Sequence, residues 1–301
     1  MPRIRRRTHP FVRGFDRAAE TYERARPDYP SDAVDRLGRE LRLRRGTTVV
    51  ELGSGTGKFT RLLARFGSAR VAIEPTAGMR RVFARTVPDV PALDGTAEAI
   101  PLPDGFADAV VAAQAFHWFD PDRALPEIAR VLRPHGALGM IWNLRDESVG
   151  WSRRLTEIID RYRGAERIPR GDTPPTTRDP RWRRAIERSD SPFGRLHLSS
   201  FRHVQRAPRE TFVLRVLSVS VVAVLPAGER RRVADEVRGV LASDPATRGR
   251  SVLEMPYRTD VYWARKKGNR VLDRASGTYN PRTRRYEIGA KNRRSSRTDV
   301  N

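Results

Sequence analysis

The stretch Val49-Val50-Glu51-Leu52-Gly53-Ser54-Gly55-Thr56-Gly57-Lys58-Phe59-Thr60 constrains this chain more than any other. An apolar strand ends in an acid, three glycines follow at alternate positions, and a helix resumes through Phe59, Leu62, Leu63 and Phe66. Glycine permits a tight turn and lets a ligand approach the backbone where a Cβ would stand in the way. The helix start beyond it presents free N–H groups. A P-loop requires G-x-x-x-x-G-K-[ST], but Phe59 follows Gly57-Lys58, and Leu52 stands five residues before Gly57. The dinucleotide fingerprint G-x-G-x-x-G requires a glycine where Lys58 stands. What remains is acidic-x-G-x-G-x-G, a turn suited to an adenosine-containing ligand.

The surrounding pattern alternates short apolar runs with amphipathic helices, the signature of βαβ units around a parallel sheet. Strands are predicted at Thr47–Leu52, Arg70–Glu74, Val90–Asp94, Ala107–Ala113 and Gly136–Asn143. The near-continuous small apolar residues of Ala107–Ala113 fit a strand buried on both faces. Helices are predicted from Phe59, around Met79–Arg85 and over Asp122–Leu132. Ahead of the first strand lie two helical segments, split by Arg26-Pro27-Asp28-Tyr29-Pro30, with Ser31 the expected N-cap of the second. After Asn143 the rhythm changes. A helix is expected at Trp151–Arg161, then a Pro/Arg/Thr-rich loop over 164–181 and a strand near Ser200–Arg206. The apolar segment Arg209–Leu225, carrying Ser218 and Ser220, is assigned to a substrate-side cap. A helix over Glu229–Leu241 and a last strand over Ser251–Ala264 complete the domain.

Three further features narrow the ligand. Val71-Ala72-Ile73-Glu74-Pro75 places an acid at the end of the second strand, about twenty residues after the glycine turn, where a carboxylate can accept ribose hydroxyls. Gly95-Thr96-Ala97-Glu98 forms a third turn. Gln114-Ala115-Phe116-His117-Trp118-Phe119-Asp120 follows the fourth strand. Together these motifs resemble the Rossmann-like, class I S-adenosylmethionine-dependent methyltransferases. Within them the Gln-Ala-Phe-His-Trp-Phe run is similar to a small-molecule branch that includes trans-aconitate-type methyltransferases. The resemblance covers about 14–264 and is densest over 47–145.

The resemblance implies an α/β fold: a mostly parallel, seven-stranded sheet with its last strand antiparallel, helices on both faces and a small cap. S-adenosyl-L-methionine is the implied cofactor. Its implied binding residues are Tyr22, Glu51, Gly53, Ser54, Gly55, Thr56, Gly57, Glu74, Pro75, Met79, Thr96, Ala97, Glu98, Gln114, Ala115 and Phe116. Ser54 stands where the family commonly has Cys, and Thr96 replaces a frequent Asp, leaving backbone groups and Glu98 to meet the adenine. His117, Trp118, Trp142 and Arg145 are assigned to the substrate pocket. His117 has two readings, general base or pocket lining near the sulfonium. Tyr22 and Tyr29 are expected to close over the cofactor. Methyl transfer from a sulfonium is an in-line displacement that depends mainly on alignment, and a base is needed only when the acceptor must lose a proton. The acceptor is expected to be a small molecule, O- or N-directed, with a carboxylate among the candidates. An RNA methyltransferase and a catalytically silent S-adenosylmethionine-binding protein are the alternatives.

Composition adds exclusions. The 301 residues include no cysteine, so disulfides and thiolate zinc sites are ruled out. His9, His135, His197 and His203 lack metal-ligand spacing, and no metal is expected. No apolar run is long enough to span a bilayer, which favours a cytoplasmic protein, monomeric or weakly dimeric and with no membrane partner. The formal charge of +23 is concentrated at the two ends. Residues 1–13 and 265–301, both expected to be disordered, carry 14 of those charges, while 14–264 forms the methyltransferase domain with its cap within about 145–230. The ends show little of the aromatic interleaving of a single-stranded nucleic-acid groove, so a nucleic-acid partner is not expected.

Overall fold

A computed structural model describes residues 12–162 and 181–268, with the backbone of two short strands at 277–280 and 285–288. Two lead-in helices, α1 (Val12–Ala25) and α2 (Ser31–Glu40), precede the sheet. The strands are β1 (Thr48–Leu52), β2 (Ala69–Ile73), β3 (Ala92–Leu93), β4 (Ala107–Ala113), β5 (Leu132–Arg145), β6 (His197–Pro208) and β7 (Val252–Arg265). Between them run α3 (Lys58–Leu63), α4 (Ala77–Thr86), α5 (Pro121–Val131), α6 (Gly150–Arg161), α7 (Arg181–Glu187), α8 (Arg209–Leu217), α9 (Ser220–Ala223) and α10 (Ala227–Ser243). The sheet order is β3-β2-β1-β4-β5-β7-β6, with β7 antiparallel to both neighbours, as expected. β1 pairs in parallel with β2 on one side and β4 on the other. The strand order therefore reverses there, and the carboxyl ends of β1 and β4 open a crevice for a ligand.

Alternation along the strands divides the core. Val50, Leu52, Val110, Leu138, Met140 and Trp142 face α5 and α7, while Val49, Val111, Ile141 and Val261 face α2 and α3. A separate cluster joins α6, α8 and α10 to Leu253, Met255 and Tyr257 of β7, and forms the cap. Helix α7 is absent from the sequence reading, although Trp182, Ala185 and Ile186 recur at helical spacing and are all buried. The interspersed arginines hide that stripe. Trp182 packs against Trp142 and Tyr262 with ring centroids 5.4 and 5.3 Å apart. Aromatic pairs of this kind add about 0.5–1.5 kcal/mol beyond their burial.

Several boundaries shift. Ser31 is the first residue of α2 rather than its cap, because extended Pro30 occupies the cap position with no side-chain bond. β5 begins at Leu132, four residues early, and β7 continues through Arg265, whose partner on β5 is Ala137. Within the tail expected to be disordered, β8 (Gly277–Asn280) and β9 (Arg285–Ile288) pair as an antiparallel ribbon. Apart from that ribbon, the tail beyond Gly268, the expected N-terminal disorder up to residue 11 and most of the 164–181 loop lie outside the described residues. No helix among the described residues is long and apolar enough to cross a membrane.

Candidate active site

The glycine turn closes β1 onto α3. Gly53, Gly55 and Gly57 all adopt left-handed backbone, with φ of 64, 57 and 86°. For two of them space adds to the constraint. A Cβ on Gly53 would lie 2.7 Å from that of Ala115, and one on Gly57 would lie 2.5 Å from Val87. Nothing stands within 4 Å of a Cβ at Gly55, so the middle of the turn faces open space. The turn is tied to β2 by the Gly53 N–H, which donates to the Ile73 carbonyl at 2.8 Å. The Ser54 hydroxyl is buried and has no hydrogen-bond partner. A buried hydroxyl without a partner costs free energy unless a ligand supplies one.

Two acids sit behind this turn. Glu51 is buried, and the Thr60 hydroxyl donates to its carboxylate. Burial pushes its carboxyl up to about 8, with the Thr60 bond opposing and Glu74 reinforcing that rise. Glu74 is also raised by burial, against the bonds from Thr76 and Gly55. One oxygen accepts from the Thr76 N–H and hydroxyl, and the other from the Gly55 N–H at 2.8 Å. A carboxylate offers about four acceptor positions, and three are filled by the protein. Glu74 thus has room for one further donor, where the sequence reading expected it to take both ribose hydroxyls.

The remaining predicted contacts divide into those around the crevice and those in the core. Met79 lies beneath Tyr22 in a small cluster with Ala19 and Val82, and Pro75 is half-buried at the start of the same loop. Thr96 bridges to Ala99 in a tight turn, and Ala97 is buried against the main core. Glu98 is turned to accept from the Asp120 N–H at 2.9 Å, so its carboxylate secures the Gln114–Asp120 turn. Phe116 is fully buried against Phe119 and Trp182 in the core, as is Trp142. Ala115 supports Gly53 from below.

Gln114 and His117 are half-buried where the turn after β4 meets β5. Gln114 has a left-handed φ of 54°, its amide donates to the Asn143 carbonyl at 2.9 Å, and its Oε1 is buried without a donor. The Trp142 indole N–H donates to His117 Nδ1 at 3.3 Å. That bond assigns Nδ1 as the acceptor, so in the neutral ring the proton sits on Nε2. Trp118 is half-buried against the cap cluster. Arg145 is buried and donates to the Thr156 hydroxyl of α6 at 3.0 Å.

Sequence reasoning anticipated lead-in contacts at Tyr22 and Tyr29 and missed the ones that fasten the segment. Glu23 of α1 accepts from the Thr56 hydroxyl of the glycine turn and from Arg61 of α3 at 2.8 Å. Lys58 lies 3.4 Å from Asp28. Asn143 Nδ2 donates to the Asp28 carbonyl at 3.1 Å, and Arg26 Nε donates to the Ser218 hydroxyl at 3.2 Å. Arg26 also lies over the Tyr22 ring at 4.8 Å. Tyr29 packs edge-on against Phe59, and burial first, then Tyr22 and Glu51, raise its hydroxyl well above the usual range. The signal available was the pair Glu20 and Glu23, spaced to share a face of α1; Glu20 pairs with Arg85. Among the described residues, no group of three or more His, Asp or Glu could hold a metal.

Comparison with known proteins agrees with this geometry. A family model described as a methyltransferase domain matches residues 50–140, which span the glycine turn, Glu74 and the Gln114–Trp118 turn and stop before the cap. An uncharacterized methyltransferase of Mycobacterium tuberculosis is 40% identical over 245 residues, 81% of this chain and 92% of its own. A methyltransferase-like protein of Schizosaccharomyces pombe is 32% identical over 257 residues, 85% and 96% respectively. A structure assigned as a type II methyltransferase of Anaeromyxobacter dehalogenans is similar with a TM-score of 0.59 at 25% identity, covering 80% of this chain and 97% of that one.

Proposed function

The chain belongs to the class I S-adenosylmethionine-dependent methyltransferases, and on that premise we propose that its acceptor is a small molecule enclosed between the Gln114–Trp118 turn and the cap. The observation that carries this reading is the set of bonds that fasten the lead-in segment beside the glycine turn. Glu23 holds α1 across the glycine turn while Asn143 and Arg26 pin the following loop to β5 and the C-terminal end of α8. A polymeric acceptor needs an open cleft, and a lead-in segment fastened by these side chains favours a small one.

The residues present fit the cofactor. Ser54 Oγ and Gln114 Oε1 are buried polar atoms awaiting partners, and the open face of Gly55 leaves room beside them. Gly53 to Gly57 and Gln114 would hold the amino-acid portion, Glu74 one ribose hydroxyl, and Pro75, Met79, Thr96 and Ala97 the neighbourhood of the base. Bound there, the cofactor supplies a methyl group activated on a sulfonium. The chain's own contribution is alignment and exclusion of water, worth several kcal/mol of barrier. His117 presents an Nε2–H, so it donates a hydrogen bond to the acceptor and does not remove its proton. An acceptor that is already anionic, such as a carboxylate held by one oxygen while the other is methylated, suits that donor.

The test is a panel of small carboxylates, phenols and amines incubated with labelled cofactor, with the melting temperature followed in parallel. S-adenosylhomocysteine should raise the melting temperature, because a ligand of the native state alone stabilises it. Label should pass to a carboxylate with little pH dependence near neutrality. Turnover confined to RNA, or a cofactor-induced shift with turnover on nothing offered, would overturn the small-acid assignment. No shift at all would remove the cofactor assignment itself.

A further inference from the structure

The charge count by sequence stretch conceals a cluster that folding assembles. The opposite end of the sheet from the glycine turn is built from 41–47 before β1, 132–136 at the start of β5, 193–197 leading into β6, and 265–268 at the end of β7. These four segments carry eight Lys or Arg and no Asp or Glu. Hydrogen bonds draw three of them together. The Lys266 N–H donates to the Gly136 carbonyl, the Gly194 N–H to the Arg265 carbonyl and the Lys266 ammonium to the Leu132 carbonyl, at 2.8, 2.8 and 2.7 Å. Arg265 reaches the carbonyls of Glu40 and His135. Burial first, and then the charge of nearby Arg42, lower its pKa, with Glu40 opposing.

Among the described residues Arg133 is ion-paired to Asp108 at 2.7 Å, while Glu40 acts on Arg265, Asp104 on Lys266 and Asp190 on Lys267 from outside the four segments. Arg42, Arg44, Arg45, Arg195 and Lys267 are exposed and form no ion pair among the described residues. Beside them opens a cavity of about 470 Å³ lined by Arg195 and Lys267, where Arg183 and Arg188 are already paired, the first with Glu187 and the second with Asp122 and Asp190. Uncompensated cations repel one another and lower the stability of the compact state. A polyanion that replaces its counterions there gains the entropy of their release.

We propose that this end of the sheet is a docking face for a nucleic-acid duplex, gripped through its phosphate backbone without reading the bases. Three observations select that partner. The fixed cations are mostly arginine, whose planar fork matches phosphate in two-point contacts. The large apolar residues of these segments, Leu41, Leu43, Leu132, Phe193 and Leu196, are all buried, so nothing in them can enter an acyl layer. The aromatic rings these segments expose are the imidazoles of His135 and His197, the second already stacked on Trp263, so Phe, Tyr and Trp offer no platform here for the unstacked bases of a single strand. The face lies a full β1 strand, about 17 Å, from the glycine turn. It would hold the enzyme on a duplex while the methyl acceptor enters from the other end.

The test uses the whole chain, with a labelled DNA duplex of about 20 base pairs and arbitrary sequence, and vesicles containing phosphatidylserine as the competing surface. With about four phosphates engaged, duplex affinity should fall about 100-fold between roughly 50 and 200 mM salt. The combined variant Arg44→Glu, Arg45→Glu, Lys267→Glu should weaken binding at least about tenfold and flatten the salt slope by about three. That variant should keep the wild-type melting shift with S-adenosylhomocysteine, which establishes that it is folded. Absence of duplex binding at low salt, binding that the variant leaves unchanged, or variant-sensitive binding to vesicles alone would each overturn the proposal.

Discussion

On the proposed assignment β1 to β4 form the donor side and β5 to β7 with the cap the acceptor side, and the two are assembled over different distances along the chain. On the donor side the decisive contacts are close in sequence: Thr60 to Glu51 spans nine residues and Gly55 to Glu74 spans 19. On the acceptor side Asn143 bonds residues 115 and 116 positions away, Gln205 reaches back 180 to Ala25 and Arg26 reaches 192 forward to Ser218. A ligand site built from short-range contacts needs a particular local string of residues. A site closed by long-range contacts needs only that the elements arrive, so many strings serve. The donor side therefore fixes the class of chemistry, and the acceptor side remains free to specialise.

The sharpest way to break this comparison is inside the glycine turn. Gly57→Val places a Cβ 2.5 Å from Val87 at a φ of 86°. Overpacking and left-handed strain together should cost at least about 3 kcal/mol and abolish the cofactor-induced melting shift. Gly55→Ala meets nothing within 4 Å, so only the strain of about 1–2 kcal/mol remains. It should fold, and its loss of cofactor affinity should exceed its loss of stability. Equal destabilisation by the two changes would show that the turn is a packing element throughout, with no face kept open for a ligand.

A second, smaller effect tests whether the donor side stores electrostatic cost. Burial raises the Glu51 carboxyl to about 8. A raised carboxyl stabilises the fold below the unfolded value and loses that contribution as pH climbs through the folded value. Between about pH 6.5 and 8 the wild type should lose roughly 2 kcal/mol that Glu51→Gln does not lose. The amide keeps an acceptor for the Thr60 hydroxyl. Thermal melts of both proteins across that range check it, and parallel curves would mean that Glu51 is ionised in the folded protein.

The same contrast explains what could be read before folding. The parallel sheet, its antiparallel last strand and the glycine turn are encoded in residue type and spacing, and those expectations match the architecture. The Gln114–Phe119 run shows the limit. Its residue types mark a site, but alternation around a 3₁₀ turn sends Phe116 into the core and leaves Gln114 and His117 half-buried. Trp142 was assigned to the pocket for standing at the sheet edge. It instead faces Trp182, from a helix concealed among arginines. The Glu23 clasp and the basal cations are invisible in the string for one reason: each is a meeting of segments that nothing local links.

The smallest predicted effect bears most directly on the acceptor side. Asn143 stands on β5, where its amide N–H donates to the Asp28 carbonyl and its oxygen accepts from Thr259 at 2.6 Å. Thr259 is in turn 3.2 Å from His203, which is stacked on Tyr257, so one side chain joins the lead-in loop to the edge of the sheet. Asn143→Ala removes both bonds and should cost about 1–2 kcal/mol of stability. Its kinetic signature should be larger than its thermal one. With the Asp28 loop unpinned, the lead-in segment loosens while Gly55, Glu74 and Ser54 keep their places. The KM for the acceptor should rise several-fold, with cofactor affinity within about twofold of the wild type. Measuring both constants on the same preparation separates the two sides. A matched loss of cofactor affinity would show that the lead-in segment closes over donor and acceptor as one unit, and that the division between the two halves of the sheet does not extend to binding.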